Sequence, residues 1–273
     1  MAYLAERQAH PRMPAMMTTE QPQAQRGHPL GAATGSAPFY EDSEVKLWNG
    51  DCREILPTIR GVDCVVTDPP YFLPAAHYSV RGETSKSIGD LSILEYYFRG
   101  LLNEIYDSLT PEGVAYVFCD GQSYPIFHRV GYSRWKRIRP LIWDKGTSVN
   151  GYAWRHQHEL IAYCEKDGSP KVPTGDGDVI RENAVKVADR EHLAEKPSKL
   201  IMRLIQKSTK EGQTILDPFA GCGSALLAAR DCGRKAIGIE MEEKYCQIAV
   251  RRIHGELMAQ NMKVRDGHSN DTK

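Results

Sequence analysis

The stretch Val62-Asp63-Cys64-Val65-Val66-Thr67-Asp68-Pro69-Pro70-Tyr71 constrains this chain more than any other. Its first six residues are mostly apolar or β-branched, the mark of a buried strand in an α/β sheet. The end is abrupt. A proline has no N–H and a fixed φ, so two in succession cannot extend a ladder. The chain must leave the sheet at Asp68. That puts a carboxylate, proline carbonyls and the Tyr71 ring at the carboxyl end of a strand, where open α/β sheets bind ligands. Asp68 and the Pro69 carbonyl accept hydrogen bonds, and Tyr71 offers a flat face. Together they suit a planar ring with an exocyclic amino group: two acceptors take its two N–H bonds and leave the lone pair aimed at an electrophile. The same residues also fit a proline-stiffened strand end with a solvated Asp.

A second stretch separates these alternatives. Residues 214–229 read as strand, glycine turn, helix, through Asp217-Pro218-Phe219-Ala220-Gly221-Cys222-Gly223-Ser224. Gly221 and Gly223 let backbone approach a ligand without a Cβ in the way, and Ser224 is placed to cap the helix. A further strand, 235–240, ends in Glu240, 19 positions after Gly221. That is the spacing at which a carboxylate takes ribose hydroxyls in a nucleotide-binding βαβ unit. An Asp ahead of the turn and the lack of a third glycine favour a nucleoside with an amino-acid tail over a pyrophosphate.

These two motifs resemble those of S-adenosylmethionine-dependent DNA amino-methyltransferases. Asp68-Pro69-Pro70-Tyr71 is similar to the catalytic motif, and Asp217 to Ser224 to the cofactor motif. The catalytic motif comes first, as in the beta group of that family, whereas methyltransferases of protein glutamine have the opposite order. The resemblance covers roughly residues 45–255. It implies a Rossmann-like class I methyltransferase fold: α/β, a seven-stranded mostly parallel sheet with a terminal antiparallel hairpin, and helices on both faces. It implies S-adenosylmethionine as cofactor and double-stranded DNA as partner. Asp68, Pro69, Pro70 and Tyr71 would carry catalysis on a flipped adenine, since Asp before Pro-Pro-Tyr is typical for N6 of adenine and Ser for N4 of cytosine. Asp217, Phe219, Ala220, Gly221, Gly223 and Ser224 would surround the cofactor, with Glu240 on its ribose. Asp51 and Cys52, in Gly50-Asp51-Cys52, would both stand at the cofactor, Asp51 taking its adenine amino group or serving as a helix N-cap, two compatible roles. Lys196, in Glu195-Lys196-Pro197-Ser198, would offset the cofactor carboxylate or stand as an exposed charge.

The strands expected are 45–49, 62–67, 113–119, 137–144, 158–164, 213–217 and 235–240. Leu94, Tyr97, Phe98, Leu101, Leu102, Ile105 and Leu109 recur at helical spacing and predict a core-facing helix over 93–109. Between Phe72 and Asp90 lies a polar segment holding His77 and Arg81, either a loop closing over a target base or a plain surface loop. Six basic residues stand against one acidic between 129 and 145. Arg134, Lys136, Arg137, Arg139 and Lys145, interleaved with Trp135 and Trp143, are candidates for phosphate and base contact, although strand alternation also accounts for part of the pattern. His156, His158 and Glu159 suggest a metal at first sight. No further ligands accompany them and methyl transfer from a sulfonium needs none, so no metal is expected.

The expected layout is a disordered tail over 1–40, a methyltransferase domain over 41–260 and a frayed tail over 261–273. Within the domain, a catalytic half (41–165) and a cofactor half (192–260) flank a short recognition insert (166–191). Lysine plus arginine and aspartate plus glutamate are both 35, so the net charge is zero and nothing global grips nucleic acid. Seven scattered cysteines without a C-x-x-C pair predict reduced, buried thiols in a cytoplasmic protein. No apolar run is long enough to span a bilayer, and a homodimer is admissible. Other functions that fit the motifs are an N4-cytosine DNA methyltransferase, an RNA or small-molecule amino-methyltransferase, and, with less support, a non-catalytic DNA-binding protein.

Overall fold

The computed structural model describes residues 37–70, 79–80, 83–84, 91–146, 154–168, 175–185 and 196–255. Residues 1–36 and 256–273 lie outside it, and with them nearly all of both expected tails. The elements run β1 (Tyr40–Glu41), β2 (Val45–Asn49), α1 (Cys52–Ile55), β3 (Val62–Thr67), β4 (Ser79–Val80), β5 (Glu83–Thr84), α2 (Leu91–Ser108), β6 (Leu109–Cys119), α3 (Ser123–Gly131), β7 (Arg137–Asp144), β8 (His158–Glu165), β9 (Val179–Arg181), α4 (Ser198–Ser208), β10 (Thr214–Asp217), α5 (Ser224–Asp231), β11 (Lys235–Glu240) and α6 (Glu243–Ile253).

One sheet has the order β1-β2-β11-β10-β3-β6-β8-β7-β9, and β4 pairs with β5 in a separate hairpin. From β2 to β6 all pairings are parallel. β8 runs against both β6 and β7. All seven expected strands are present, with bounds shifted by up to four residues. The strand count is larger than expected, because β1 and β9 extend the two edges. Each is two or three residues long, too short to carry a hydrophobic period. β9 lies inside the expected recognition insert and pairs with Ile142–Asp144 only. At Pro140, which has no N–H to give, β7 is therefore an edge on that side.

Alternation along each strand feeds two cores. Val114, Tyr116 and Phe118 of β6 join Ile215, Leu200, Leu204, Leu226 and Ala249 on the face covered by α4, α5 and α6. Ala115, Val117 and Cys119 face the other way, onto Leu94, Phe98, Leu102 and Ile105 of α2 and Phe127 of α3. The period-3.6 stripe of α2 is the buried one, and Phe98 stacks on Phe127 at 4.1 Å between centroids. All seven cysteines are buried and none is in a disulfide.

The chain crosses from β10 through α5 to β11 on one side, and from β3 through α2 to β6 on the other. β10 and β3 are adjacent. Their carboxyl ends thus form the switch point where strand order reverses, the place at which such sheets hold ligands.

Candidate active site

Both motifs end at this crevice. Asp68 follows β3 and Asp217 closes β10, and a cavity between them is lined by Val66, Thr67, Asp68, Phe118, Lys196, Ile201, Asp217, Phe219, Ala220, Gly221, Cys222, Ser224 and Ala225. Catalytic and cofactor motifs therefore open into one space from one side of the molecule. Thr67 Oγ1 donates to Asp217 Oδ1 at 2.7 Å, tying the two strand ends together. The Phe219 N–H donates to the same oxygen at 3.0 Å. Asp217 is only 6% exposed. Burial pushes its carboxyl up to about 7, and Asp68 and Glu240 add to the rise.

Gly221 and Gly223 have φ of +50° and +79°, where L side chains are strained. A Cβ on Gly221 would meet nothing within 4 Å, so the turn leaves open space above it. At Gly223 a Cβ would stand 3.0 Å from that of Ala249, so packing also requires glycine there. Gly223 is the N-cap of α5, without a side-chain cap bond. That corrects the expectation for Ser224, which is the first residue of the helix. Glu240 Oε2 accepts from the Gly221 N–H at 2.9 Å, and Oε1 from the Glu242 N–H at 2.7 Å. Its carboxylate thus shapes the glycine turn as well as edging the crevice.

Asp51 caps α1 by accepting from the Arg53 N–H at 2.8 Å. The Arg53 guanidinium on its side chain holds its carboxyl below the usual range. The Gly50 N–H donates to the Glu240 carbonyl at 2.9 Å, so Asp51 sits at the same sheet edge. Along the order β3, β10, β11, β2, four acids follow one another: Asp68, Asp217, Glu240 and Asp51. At about 4.8 Å per strand the row spans roughly 14 Å. Cys52 is different. Its side chain packs in the core under α2, and burial pushes its thiol up to about 12.

Lys196 is neither exposed nor merely near the cofactor turn. It is 8% exposed, with Nζ 2.6 Å from Asp68 Oδ2 and 3.3 Å from Glu159 Oε2. Lys145 Nζ lies 2.6 Å from Glu159 Oε1. The result is an alternating row, Lys145–Glu159–Lys196–Asp68. The two lysines lie over aromatic rings, Lys196 over Phe118 at 5.1 Å and Lys145 over Trp143 at 5.0 Å. Sequence reading did not find this row. Glu159 stands beside His156 and His158 in sequence, and both histidines are exposed. Among the described residues no three His, Cys, Asp or Glu are grouped to hold a metal.

The basic cluster is divided. Lys145 follows the carboxyl end of β7 and joins the site. Arg137 begins β7 and Arg139 follows two residues on, which places Arg137 roughly 20 Å from that end. Both lie near Glu165, at 3.3 and 3.9 Å. Arg134 pairs with Asp107 and stacks on Tyr106 at 4.3 Å, and Lys136 Nζ donates to the Asp167 carbonyl at 3.5 Å. The structure does not bring these four to the crevice. Tyr71, His77 and Arg81 lie outside the described residues. Pro69 is buried and Pro70 exposed.

A family model described as "DNA methylase" matches residues 62–251. Among curated relatives, the Type II methyltransferase M2.DpnII of Streptococcus pneumoniae is 26% identical over 256 residues, covering 83% of this chain and 96% of that protein. The Type II methyltransferase M.HinfI of Haemophilus influenzae is 27% identical over 245 residues, covering 76% and 67%. Among solved structures, an M1.HpyAVI–SAM complex superposes with a TM-score of 0.60 at 20% identity, over 77% of this chain and 98% of that one. The cytosine-N4-specific PvuII DNA methyltransferase gives 0.62 at 16% identity, over 82% and 97%. At these identities the solved structures speak to the fold, and they agree with the α/β sheet described above.

Proposed function

Since the chain belongs to the DNA methylase family, we propose that it transfers a methyl group from S-adenosylmethionine to N6 of an adenine flipped out of double-stranded DNA. The observation that carries this is the single cavity into which Asp68 and the Gly221 turn both open.

The site fits the cofactor. The open space over Gly221 admits an amino-acid tail at the helix start, and the row Asp217, Glu240, Asp51 offers carboxylates to a cationic nucleoside carrying ribose hydroxyls. Asp217, Phe219, Ala220, Gly221, Gly223 and Ser224 would hold the tail, Glu240 the ribose and Asp51 the adenine, with Cys52 supporting Asp51 from the core. When bound, S-adenosylmethionine supplies a methyl group activated by a sulfonium. The residues of this chain do the positioning.

A base inside a duplex cannot reach a strand-end crevice, so it must leave the stack. Asp68 and the Pro69 carbonyl accept the two amino hydrogens, Pro70 stiffens the turn, and Tyr71 stacks on the ring. The nitrogen lone pair is thereby turned toward the cofactor side of the cavity. That lone pair would take the methyl group as the C–S bond breaks with its pair on sulfur, and the proton shed by the nitrogen would pass by way of the Asp68 carboxylate to solvent. Alignment accounts for most of the acceleration, and the Asp68 charge stabilises positive charge growing on the nitrogen. The exposed Trp154, Arg155 and His156 that precede β8 would contact the strand that carries the flipped base. The relatives named Type II methyltransferases support site-specific modification. Among the described residues no helix is long and apolar enough to cross a membrane, and the unbridged cysteines support a cytoplasmic enzyme.

Incubation of the pure protein with methyl-labelled cofactor and DNA, followed by digestion to nucleosides, tests this. N6-methyladenine is expected, with Asp68→Ala about 10²–10³-fold slower. N4-methylcytosine alone ends the adenine reading, and label in RNA but not DNA ends the DNA reading.

A further inference from the structure

Resting on that reading, we propose that Glu159 is a positioning residue for the transfer: it shares the Lys196 ammonium with Asp68, so that Asp68 keeps the acceptor strength its contact with the amino group needs. Lys196 Nζ stands between the two carboxylates, 2.6 Å from Asp68 and 3.3 Å from Glu159. Its side chain is 8% exposed and that of Glu159 21%, so solvent and salt screen the row only in part.

The physical problem is one of balance. An ammonium bound to Asp68 alone fixes that carboxylate but withdraws its charge, leaving a weaker acceptor and a poorer partner for the positive charge growing on the nitrogen. A second carboxylate competing for one ammonium gives an intermediate state in which Asp68 is held yet still charged. Lys145, 2.6 Å from the other oxygen of Glu159, keeps Glu159 from capturing Lys196 outright. The four charges sum to zero, which makes their partial burial tolerable.

Charged and titratable groups reach Asp68 from several elements. Lys196 comes from the segment before α4 and Glu159, through it, from β8. Asp217 comes from β10 and Cys119 from β6. Burial pushes the Glu159 carboxyl up, but Lys196 and Lys145 outweigh it and hold the group below its ordinary value. Glu159 is therefore ionised at neutral pH. Replacing it by Gln removes a negative charge and one competitor for Lys196, and both effects make Asp68 more acidic. Replacing Lys145 by Gln lets Glu159 draw Lys196 away and makes Asp68 less acidic.

The test compares the wild type with Glu159→Gln, Glu159→Asp and Lys145→Gln in the full chain. Carbon-13 titration of the aspartate carboxyls, without cofactor, reads the Asp68 midpoint, identified by its loss in Asp68→Asn. Steady-state methylation of DNA gives kcat and KM, and calorimetry gives the cofactor Kd. Expected are a lowered midpoint in Glu159→Gln, a raised one in Lys145→Gln, and kcat about tenfold down in Glu159→Gln with the cofactor Kd within about twofold. Glu159→Asp recovers most of kcat. An unmoved midpoint in Glu159→Gln, or a loss confined to KM, overturns the inference. Should Glu159→Gln fail to fold, an unmoved or lowered midpoint in Lys145→Gln overturns it instead. If the wild type transfers no methyl to DNA, the proposed function fails, while the carbon-13 midpoints still decide whether Glu159 shares Lys196.

Discussion

Asp217 is where burial, hydrogen bonding and charge conflict most sharply. It sits at the centre of the sheet, accepts from Thr67 and Phe219, and has Asp68 and Glu240 as neighbours. Its carboxyl is raised from 3.8 to about 7. The unfolded chain releases this proton near pH 4, whereas the native state keeps it until about pH 7. The group's contribution to stability is thus full below about pH 4 and is lost as pH rises to 7. In urea titrations, the stability of the wild type relative to Asp217→Asn is expected to fall over that range by about 2–4 kcal/mol. A constant difference between the two proteins would contradict it. A cationic ligand in the crevice favours the charged form, so cofactor binding should tighten with pH through 7 and release protons, and calorimetry in buffers of unlike ionisation enthalpy reads both. In Asp217→Asn the pH dependence should vanish. None of this conflict is legible in Asp217 as a letter in the sequence. The carboxylate was visible, but its setting depends on Thr67, 150 positions away.

The strand–turn–helix unit of β10 and α5 shows how far local sequence carries. The apolar run, the acid, the two glycines and the alanine-rich helix were all readable, because each follows from backbone preference within a few residues. Gly221 tests the unit. Gly221→Val places a β-branched residue at φ +50°, in space that no protein atom fills. The expected cost is about 1–2 kcal/mol of stability from backbone strain, with cofactor affinity down by more than about tenfold because the side chain enters the ligand's space. A melt with calorimetry separates the two, and unaltered affinity would remove the turn from the cofactor site. Ser224 was misplaced by one position because a left-handed glycine can replace a hydroxyl cap. β1 and β9 were missed because two or three residues have no period. The row Lys145–Glu159–Lys196–Asp68 was missed for a different reason: Lys196 and Asp68 are 128 positions apart, and the row forms only where the segment before α4 meets the strand ends ordered β3, β6, β8, β7.

Across the whole molecule, strand direction decides what composition cannot. Charge balance is neutral, and the one basic cluster is dense in sequence, yet β7 carries its first residues away from the crevice and β8 supplies Glu165 as their partner. Arg137→Ala with Arg139→Ala should therefore change DNA affinity by less than about threefold and leave the slope of log K against log salt nearly unaltered, as expected when no phosphate contact is lost. A slope reduced by about two would return both arginines to the DNA interface. The central claim concerns the same geometry: Asp68 and the glycine turn serve one reaction because β3 and β10 are neighbours with their carboxyl ends in one crevice. A crystal structure of the protein with S-adenosylhomocysteine tests it most directly. The account predicts the tail over Gly221, the ribose at Glu240, and the sulfur facing the Asp68 carboxylate with room for one amino group between them. A nucleoside bound elsewhere, or a sulfur turned away from Asp68, would contradict it.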